Sequence, residues 1–311
     1  MTHSAGDLRA EVDVSRWTVI RDEPGGRDPN KRWIAVDGDA PRHEHWLWKA
    51  RQLTGRGNEF AITDCSEVVA SRLARWLGIP AADCRFALCD DALGVISRNV
   101  APDGFSLNTA RTYLPEVDGY RHLPGGADGP RGTRRMRSGR GYTLDAIEAI
   151  LATVEPPPQF EGDSAFGVFS GYLVLDALVA NTDRHPGNWA LLESESDGRR
   201  FLAPTFDHGS ALGAGLTDRN RRLTRPEAFA AKGRANPFMP ERPLLIDLAH
   251  DAVRRTKSHG WMERVATLDA ASVRAMLEAP ENRLSDIAST FVLGVILENR
   301  RRLCDDNAAQ D

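Results

Sequence analysis

The sequence has few cysteines and no long apolar run, and each shortage excludes a class of protein. No C-x-x-C pair and no grouping with histidines occurs among its four cysteines, Cys65, Cys84, Cys89 and Cys304. This pattern predicts reduced thiols rather than a disulfide framework or a zinc site. No uninterrupted apolar run approaches about 18 residues, and the first residues lack an apolar signal region. We therefore expect a cytoplasmic protein that does not bind membranes.

The sequence also lacks an excess of basic charge, an internal repeat and a Walker A motif. The formal net charge is −4, so nucleic acid is not an expected partner. The pattern G-x-x-x-x-G-K-[ST] is absent, which excludes a P-loop nucleotide site. What remains is an ordinary globular composition. With 311 residues and a hydrophobic fraction of 41%, the chain is long enough for one large core or two smaller ones.

The most informative motif present is N-T-D-R-H-P-G-N at positions 181–188, followed nineteen residues after Asn188 by Asp207 in P-T-F-D-H-G-S. Moving a γ-phosphoryl group requires a carboxylate beside the attacking hydroxyl, and a carboxamide and a second carboxylate that hold Mg²⁺. Asp183, Asn188 and Asp207 supply these groups in that order. The spacing of Asp183 and Asn188 is that of a kinase catalytic loop. The combination predicts a phosphotransferase that uses ATP and Mg²⁺.

The residues around this motif predict how the three groups meet. The apolar run 172–180 predicts a buried helix that ends at Asn181, and Pro186 and Gly187 predict a loop. Two short strands are predicted at 189–192 and 200–202, separated by the turn S-E-S-D-G. A hairpin of these strands returns Asp207 toward Asn188.

The N-terminal half offers a cation for the phosphates and an acid to hold it. The run W-L-W-K ends in Lys49 and predicts a strand that presents an ammonium group to a cleft. Positions 65–77 repeat apolar residues at helical spacing, which predicts an amphipathic helix capped by Asp64 or Ser66 and ended by Gly78. Glu67 in its first turn is the expected partner of Lys49, although an acid there also favours the helix dipole by itself.

A turn before the lysine strand is the candidate phosphate-binding loop. Gly25 and Gly26 allow backbone N–H groups to face a phosphate, and Lys31 adds positive charge. A Gly-Gly pair beside proline and asparagine is also an ordinary turn between strands. This motif is therefore weaker than the one that contains Asp183.

Together these segments resemble the HipA-like kinases over roughly residues 20 to 235. The resemblance rests on the Gly-Gly turn, W-L-W-K, the helix that ends in L-G-I-P, the strand G-V-I-S, N-T-D-R-H-P-G-N and A-P-T-F-D-H-G-S-A-L-G. It implies an α+β, protein-kinase-like fold with a β-rich N-lobe (1–100) that contains one key helix, a mainly helical C-lobe (101–311), and ATP between the lobes. It also implies a role for each site residue: Lys49 binds phosphate with Glu67 as its partner, Asp183 is the catalytic base, and Asn188 and Asp207 are metal ligands.

Two departures from the family pattern matter. Toxin-type members carry an additional N-terminal segment that contacts an antitoxin, whereas about twenty residues precede the Gly-Gly turn here, so no antitoxin partner is expected. His208 stands where many kinases have the phenylalanine of D-F-G. Because packing of that phenylalanine sets active and inactive states, regulation by that switch is not expected.

The acceptor is less well specified by sequence. Segment 101–141, rich in proline, glycine and arginine, predicts a surface loop, and the arginine-rich runs 131–140 and 219–225 favour an acidic or phosphorylated polypeptide. We expect a Ser or Thr acceptor. A small molecule, a phosphoinositide or a scaffold without turnover remain alternatives. His185 is expected to brace the catalytic loop through a backbone hydrogen bond, and His43 and His45 to form a solvated strand edge rather than a metal site.

Overall fold

The computed structural model describes residues 11–20, 31–54, 59–121, 139–256, 260–278 and 283–305. A six-stranded sheet with one helix against it is followed along the chain by a second, smaller sheet and a mainly helical part. This is an α+β arrangement of the kind that the family resemblance implies. Gly25, Gly26 and positions 131–138 of the first arginine-rich run lie outside the described residues.

The larger sheet carries the predicted lysine strand near its middle. Its strand order is β1-β5-β6-β4-β3-β2, and every neighbouring pair is antiparallel except β1 and β5. The strands are β1 Val12–Asp13, β2 Thr18–Ile20, β3 Lys31–Ala35, β4 Trp46–Ala50, β5 Cys84–Cys89 and β6 Ala92–Arg98. Trp46 and Trp48 are buried in a cluster on one face. Since side chains alternate along a strand, Lys49 is directed to the opposite face.

That opposite face is covered by helix α1, Thr63–Leu77. The predicted helix is confirmed, and it begins two residues earlier than expected. Gly78 ends it in the left-handed conformation, with φ of 69°, which glycine adopts without strain. The predicted cap is wrong. Ile62 occupies the N-cap position without a side-chain bond, and Asp64 lies inside the first turn, buried and paired with two arginines, Arg51 and Arg283.

The C-terminal helices fix α1 in place. The Arg264 guanidinium donates to the carbonyl oxygen of Leu77 at 2.8 Å, and Arg72 of α1 donates to the carbonyl oxygen of Met276 at 2.9 Å. Arg283 binds Asp64 at 3.1 Å and the Gly94 carbonyl oxygen at 2.9 Å, which joins the first turn of α1 to β6. The position of α1 relative to the sheet is therefore set by side chains from the far end of the chain.

The smaller sheet corrects one prediction. Its strands are β7 Phe105–Thr109, β8 Ala190–Ser194 and β9 Arg200–Leu202, in the order β7-β8-β9. The hairpin of β8 and β9 was predicted. β7 was not, because segment 101–141 was expected to be a surface loop. Its sequence, F-S-L-N-T, does alternate apolar and polar residues, but the run is only five residues long and lies in a segment rich in proline, glycine and arginine, where a short strand is easily overlooked.

The helical part is built around α3, Ala165–Leu178, which is buried on all sides. The other helices are α2 Leu144–Leu151, α4 Asp218–Leu223, α5 Pro226–Ala230, α6 Leu245–Thr256, α7 Gly260–Thr267, α8 Ala270–Leu277 and α9 Asp286–Asp305. Helices α6 and α9 both pack on α3. Among the described residues, no helix combines the length and apolar character needed to cross a membrane.

Candidate active site

A cavity of about 210 Å³ lies between the larger sheet, α1 and the loop that follows α3. Its lining contains all the predicted site residues that the structure describes: Lys31, Lys49, Glu67, Asp183, Asn188 and Asp207. A larger cavity of about 710 Å³ lies between residues 113–119 and α2. We assign the chemistry to the smaller cavity, because there a lysine, several carboxylates and a carboxamide converge, as an active site requires.

Lys49 is the centre of a three-residue ion-pair cluster. Its Nζ atom lies 2.6 Å from Glu67 Oε1 and 2.9 Å from Asp207 Oδ1. Burial by itself lowers the pKa of Lys49, but the carboxylates of Asp207 and Glu67 outweigh that effect and hold the pKa above its ordinary value. The Lys49 ammonium likewise holds the pKa of Asp207 well below its ordinary value. Lys49 and Asp207 are therefore both charged at neutral pH.

Glu67 also fixes the backbone beside Asp207. Its second oxygen, Oε2, accepts a hydrogen bond from the His208 N–H at 2.9 Å. Asp207 itself has a φ of 63°, a left-handed conformation that costs a non-glycine residue energy and that occurs often at functional sites. The bond from His208 helps to hold this conformation. Glu67 thus positions both the lysine and the D-H-G segment.

The catalytic-loop candidate brings Asp183 and Asn188 to the same cavity. The Asn188 Nδ2 group donates to the Asp183 carbonyl oxygen at 2.8 Å. Since a carbonyl oxygen can only accept, this bond fixes which end of the carboxamide is nitrogen. The Asn188 carboxamide oxygen takes no part in the bond. His185 braces the loop as expected, because its Nδ1 accepts from the Gly187 N–H at 3.0 Å.

A second ion pair, missed in the sequence, joins this loop to helix α3. Arg184 forms two 2.7 Å hydrogen bonds to the carboxylate of Asp176 and a third, of 2.6 Å, to the carbonyl oxygen of Asn188. Both side chains of the pair are at most 2% exposed. The sequence did contain a sign of this pair, because Asp176 is a lone acid inside the apolar run of α3. A buried acid requires a partner, so a nearby cation could have been expected.

The same arginine reaches the D-H-G segment through His208. The Arg184 Nη2 atom lies 3.2 Å from His208 Nε2. Because a guanidinium group can only donate, Nε2 accepts, and the imidazole is neutral with its proton on Nδ1. Burial, aided by the charge of Arg184, lowers the pKa of His208 well below its ordinary value. His208 thus serves as a neutral link between the two loops.

Lys31 stands opposite Lys49 in the antiparallel pair of β3 and β4. Directly opposed residues share one face of a sheet, so both lysines face the cavity, and the charge of Lys31 contributes to the low pKa of Asp207. Lys31 therefore lines the cavity with Lys49, and its phosphate-binding role stays a prediction. Gly25 and Gly26, predicted for the same role, fall outside the described residues.

The arginine-rich run 219–225 is only partly available to a partner. Arg221 is 4% exposed and binds Asp218 at 2.9 Å and the Gly213 carbonyl oxygen at 3.2 Å. Its predicted role in docking an acceptor is therefore wrong. Arg222 and Arg225 are exposed. The buried arginine closes the first turn of α4, a contact that charge counting along the sequence does not reveal.

The two histidines near β4 each contact a different residue. His43 lies 3.3 Å from Asp103, and His45 is buried with its Nε2 atom 2.9 Å from the Ala40 carbonyl oxygen. In the part of the chain that the structure describes, no cluster of three or more histidine, cysteine or acidic side chains is arranged to hold a metal. The expected solvated edge therefore describes His43 but not His45.

No protein-family model and no curated protein matches the chain by sequence. Solved structures do match. The proinflammatory kinase CtkA of Helicobacter pylori superposes with a TM-score of 0.64 at 15% identity, covering 97% of this chain and 99% of that one. HipA of Shewanella oneidensis MR-1, solved with HipB and operator DNA, superposes with a TM-score of 0.54 at 10% identity, covering 93% of this chain and 62% of that one. Identities this low establish the fold alone: the chain has the HipA-like kinase fold that its motifs predict.

Proposed function

We propose that the protein is an ATP- and Mg²⁺-dependent kinase that transfers the γ-phosphoryl group to a Ser or Thr hydroxyl of a polypeptide. The observation that carries this proposal is the convergence of Lys49, Glu67, Asp183, Asn188 and Asp207 on one cavity. These five residues are separated by up to 158 positions in the chain. Phosphoryl transfer depends mainly on positioning and on charge stabilisation, and this set supplies both.

The residues fit a hard divalent cation. Mg²⁺ prefers oxygen ligands, and the cavity offers the Asp207 carboxylate and the Asn188 carboxamide, whose nitrogen is already bonded to Asp183. One lysine ammonium is paired with two carboxylates, so the cluster retains a net negative charge that favours a cation. When bound, Mg²⁺ neutralises the phosphate charge that develops during transfer.

The protein's own groups divide the remaining work. Lys49 binds phosphate oxygens, and Glu67 keeps the lysine extended while it holds the Asp207 segment through the His208 N–H. Asp183 accepts or orients the acceptor hydroxyl proton, the role of the corresponding loop carboxylate in kinases. Arg184 positions this loop against α3 from behind, without facing the cavity. Cytoplasmic location and independence from an antitoxin remain predictions from the sequence.

Incubation with γ-labelled ATP and Mg²⁺ tests the proposal. Protein, peptide, lipid and small-molecule fractions are analysed for label, with Asp183→Asn as the inactive comparison. Label on Ser or Thr of polypeptides with the wild type, and its loss with Asp183→Asn, is expected. Label in the lipid or metabolite fraction instead identifies a different acceptor class. Nucleotide binding without label in any fraction, with a broad panel of acceptors, identifies a scaffold.

A further inference from the structure

One exposed arginine is fixed against the catalytic-loop candidate by the smaller sheet. Strand β7 pairs with β8 so that Thr109 lies opposite Ala190, and the Ala110 N–H donates to the Trp189 carbonyl oxygen at 3.1 Å. Trp189 directly follows Asn188. The register therefore places the next residue, Arg111, beside the loop that carries Asp183 and Asn188.

The guanidinium group of Arg111 lies directly against Gly187. A Cβ atom built on Gly187 would stand 2.9 Å from Nη2 and 3.0 Å from Cζ of Arg111, and 3.0 Å from Cε1 of His185, so any side chain there requires the guanidinium group to move. The backbone of Gly187 is not in the left-handed region, so its conformation does not demand glycine. The glycine leaves the space that the guanidinium group occupies.

No carboxylate within the described ranges neutralises Arg111. Its side chain is exposed, whereas Arg184 of the same loop and Arg221 of α4 are buried and bound to Asp176 and Asp218. The charge of Arg111 reaches Tyr120: burial raises the pKa of that phenol, and a backbone hydrogen bond from Gly139 and the arginine charge partly offset the rise. Arg111 is thus placed at the loop by the pairing of β7 with β8 and by its contact with Gly187, and not by an ion pair with an acid of the protein.

We propose that Arg111 binds an anionic group, a carboxylate or a phosphate, that lies close to the acceptor hydroxyl on the polypeptide substrate. This inference rests on the proposed function. The cavity lining carries four carboxylates and two lysines, so it repels an anionic group on the acceptor. Such a group requires a cation beside the place where the acceptor binds. A guanidinium group binds both carboxylates and phosphates through two parallel hydrogen bonds, and its charge does not depend on pH.

Peptide kinetics test the proposal. A peptide set carries one Ser with Asp, phosphoserine or Ala at each neighbouring position, and kcat/KM is measured for each peptide. Wild type is expected to prefer anionic peptides over the Ala peptide, and Arg111→Gln to reduce that preference roughly tenfold or more, through KM for the peptide. KM for ATP should not change. The Asp and phosphoserine arms reveal which anion is recognised.

Two further variants separate recognition from a general disturbance. Arg274→Gln removes an exposed arginine of α8, far along the chain from the loop, and should leave the preference unchanged. Gly187→Ala should lower the preference by displacing the Arg111 side chain, and should have no further effect on it in the Arg111→Gln background. The preference is a ratio between peptides, so a uniform loss of turnover does not alter it.

The outcomes distinguish this inference from the proposed function. If wild type and Arg111→Gln show the same anion preference, or if Arg111→Gln raises KM for ATP alone, Arg111 does not bind the acceptor, although the kinase assignment stands. If wild type labels no peptide while Asp183→Asn is equally silent, the polypeptide-kinase proposal fails, and the role of Arg111 fails with it.

Discussion

Two ion-pair clusters are joined through His208, which contacts Glu67 of one and Arg184 of the other, and they differ in charge balance. In the Lys49 cluster, one cation faces two carboxylates, Glu67 and Asp207, and Asp207 is 38% exposed to the cavity. In the Asp176–Arg184 cluster, one cation faces one carboxylate, and both side chains are sealed from solvent. The first cluster is charged and open, whereas the second is neutral and closed.

This difference in charge and exposure indicates different roles: the Lys49 cluster is suited to bind ligands, and the Asp176–Arg184 cluster is suited to hold the catalytic loop in place. A sealed pair stabilises a protein only when its hydrogen bonds are satisfied, and Arg184 meets this condition with bonds to Asp176, Asn188 and His208. An open cluster with an unmatched negative charge is instead suited to receive a cation or a ligand. Removing a member of the closed cluster should therefore affect stability, and removing a member of the open cluster should affect binding and turnover.

The largest expected effect comes from breaking the closed cluster. Arg184→Met leaves the Asp176 carboxylate buried without its partner, so we expect the free energy of unfolding to fall by about 3–5 kcal/mol. Denaturant titration measures the change. The matched control is Arg199→Met, which breaks an exposed pair with Glu155 and should cost at most about 1 kcal/mol. Equal stability of the two variants would show that the closed cluster does not support the fold.

Removing the proposed base should affect turnover and not stability. Asp183→Asn keeps the shape of the side chain but cannot accept the acceptor proton, so kcat should fall by roughly 100-fold or more while ATP affinity is retained. Single-turnover kinetics and ATP titration measure the two quantities. Asp91→Asn, an exposed position in the turn between β5 and β6, is the control. Wild-type turnover in Asp183→Asn would remove Asp183 from the mechanism.

The open cluster should respond to Mg²⁺. At a ligand concentration of one hundred times Kd, binding stabilises the wild type by about 2.7 kcal/mol. Asp207→Ala should lose the part of this stabilisation that requires Mg²⁺, because the variant lacks the carboxylate that is proposed to bind the metal. Thermal unfolding with ATP is compared in the presence of Mg²⁺ and of a chelator. An unchanged Mg²⁺-dependent shift would place the metal elsewhere.

The smallest expected effect is a pH dependence that originates in His208. Its folded-state pKa lies well below the ordinary value of 6.5, so the unfolded chain binds a proton in the pH range where the folded protein does not. Stability should therefore fall as pH decreases below about 6.5, by roughly 1 kcal/mol between pH 7 and 5.5.

Denaturant titrations across that pH range measure the slope. His208→Gln should remove this contribution, whereas His43→Gln, on a half-exposed side chain, should leave it in place. The same slope in His208→Gln as in the wild type would assign the pH dependence to other groups.

Much of the fold was predictable because its elements carry strong local patterns. The strand W-L-W-K, the periodic helix that ends at Gly78 and the β8–β9 hairpin are confirmed. The unpredicted strand β7 is only five residues long, and the pairing that forms it joins residues about 85 positions apart. The contact between Arg111 and Gly187 depends entirely on the register between β7 and β8. Similarly, sequence does not distinguish the buried Arg221 from its exposed neighbours.

The sequence by itself determined which chemical groups the site contains. The types and spacing of Asp183, Asn188 and Asp207 are local properties, and they predict phosphoryl transfer without knowledge of the fold. The tertiary structure alone decided how these groups are held: Arg184 ties the catalytic loop to Asp176 and His208, and C-terminal arginines fix α1. The physical reason is that ion pairs and hydrogen bonds depend on distances of about 3 Å, which only long-range packing can set.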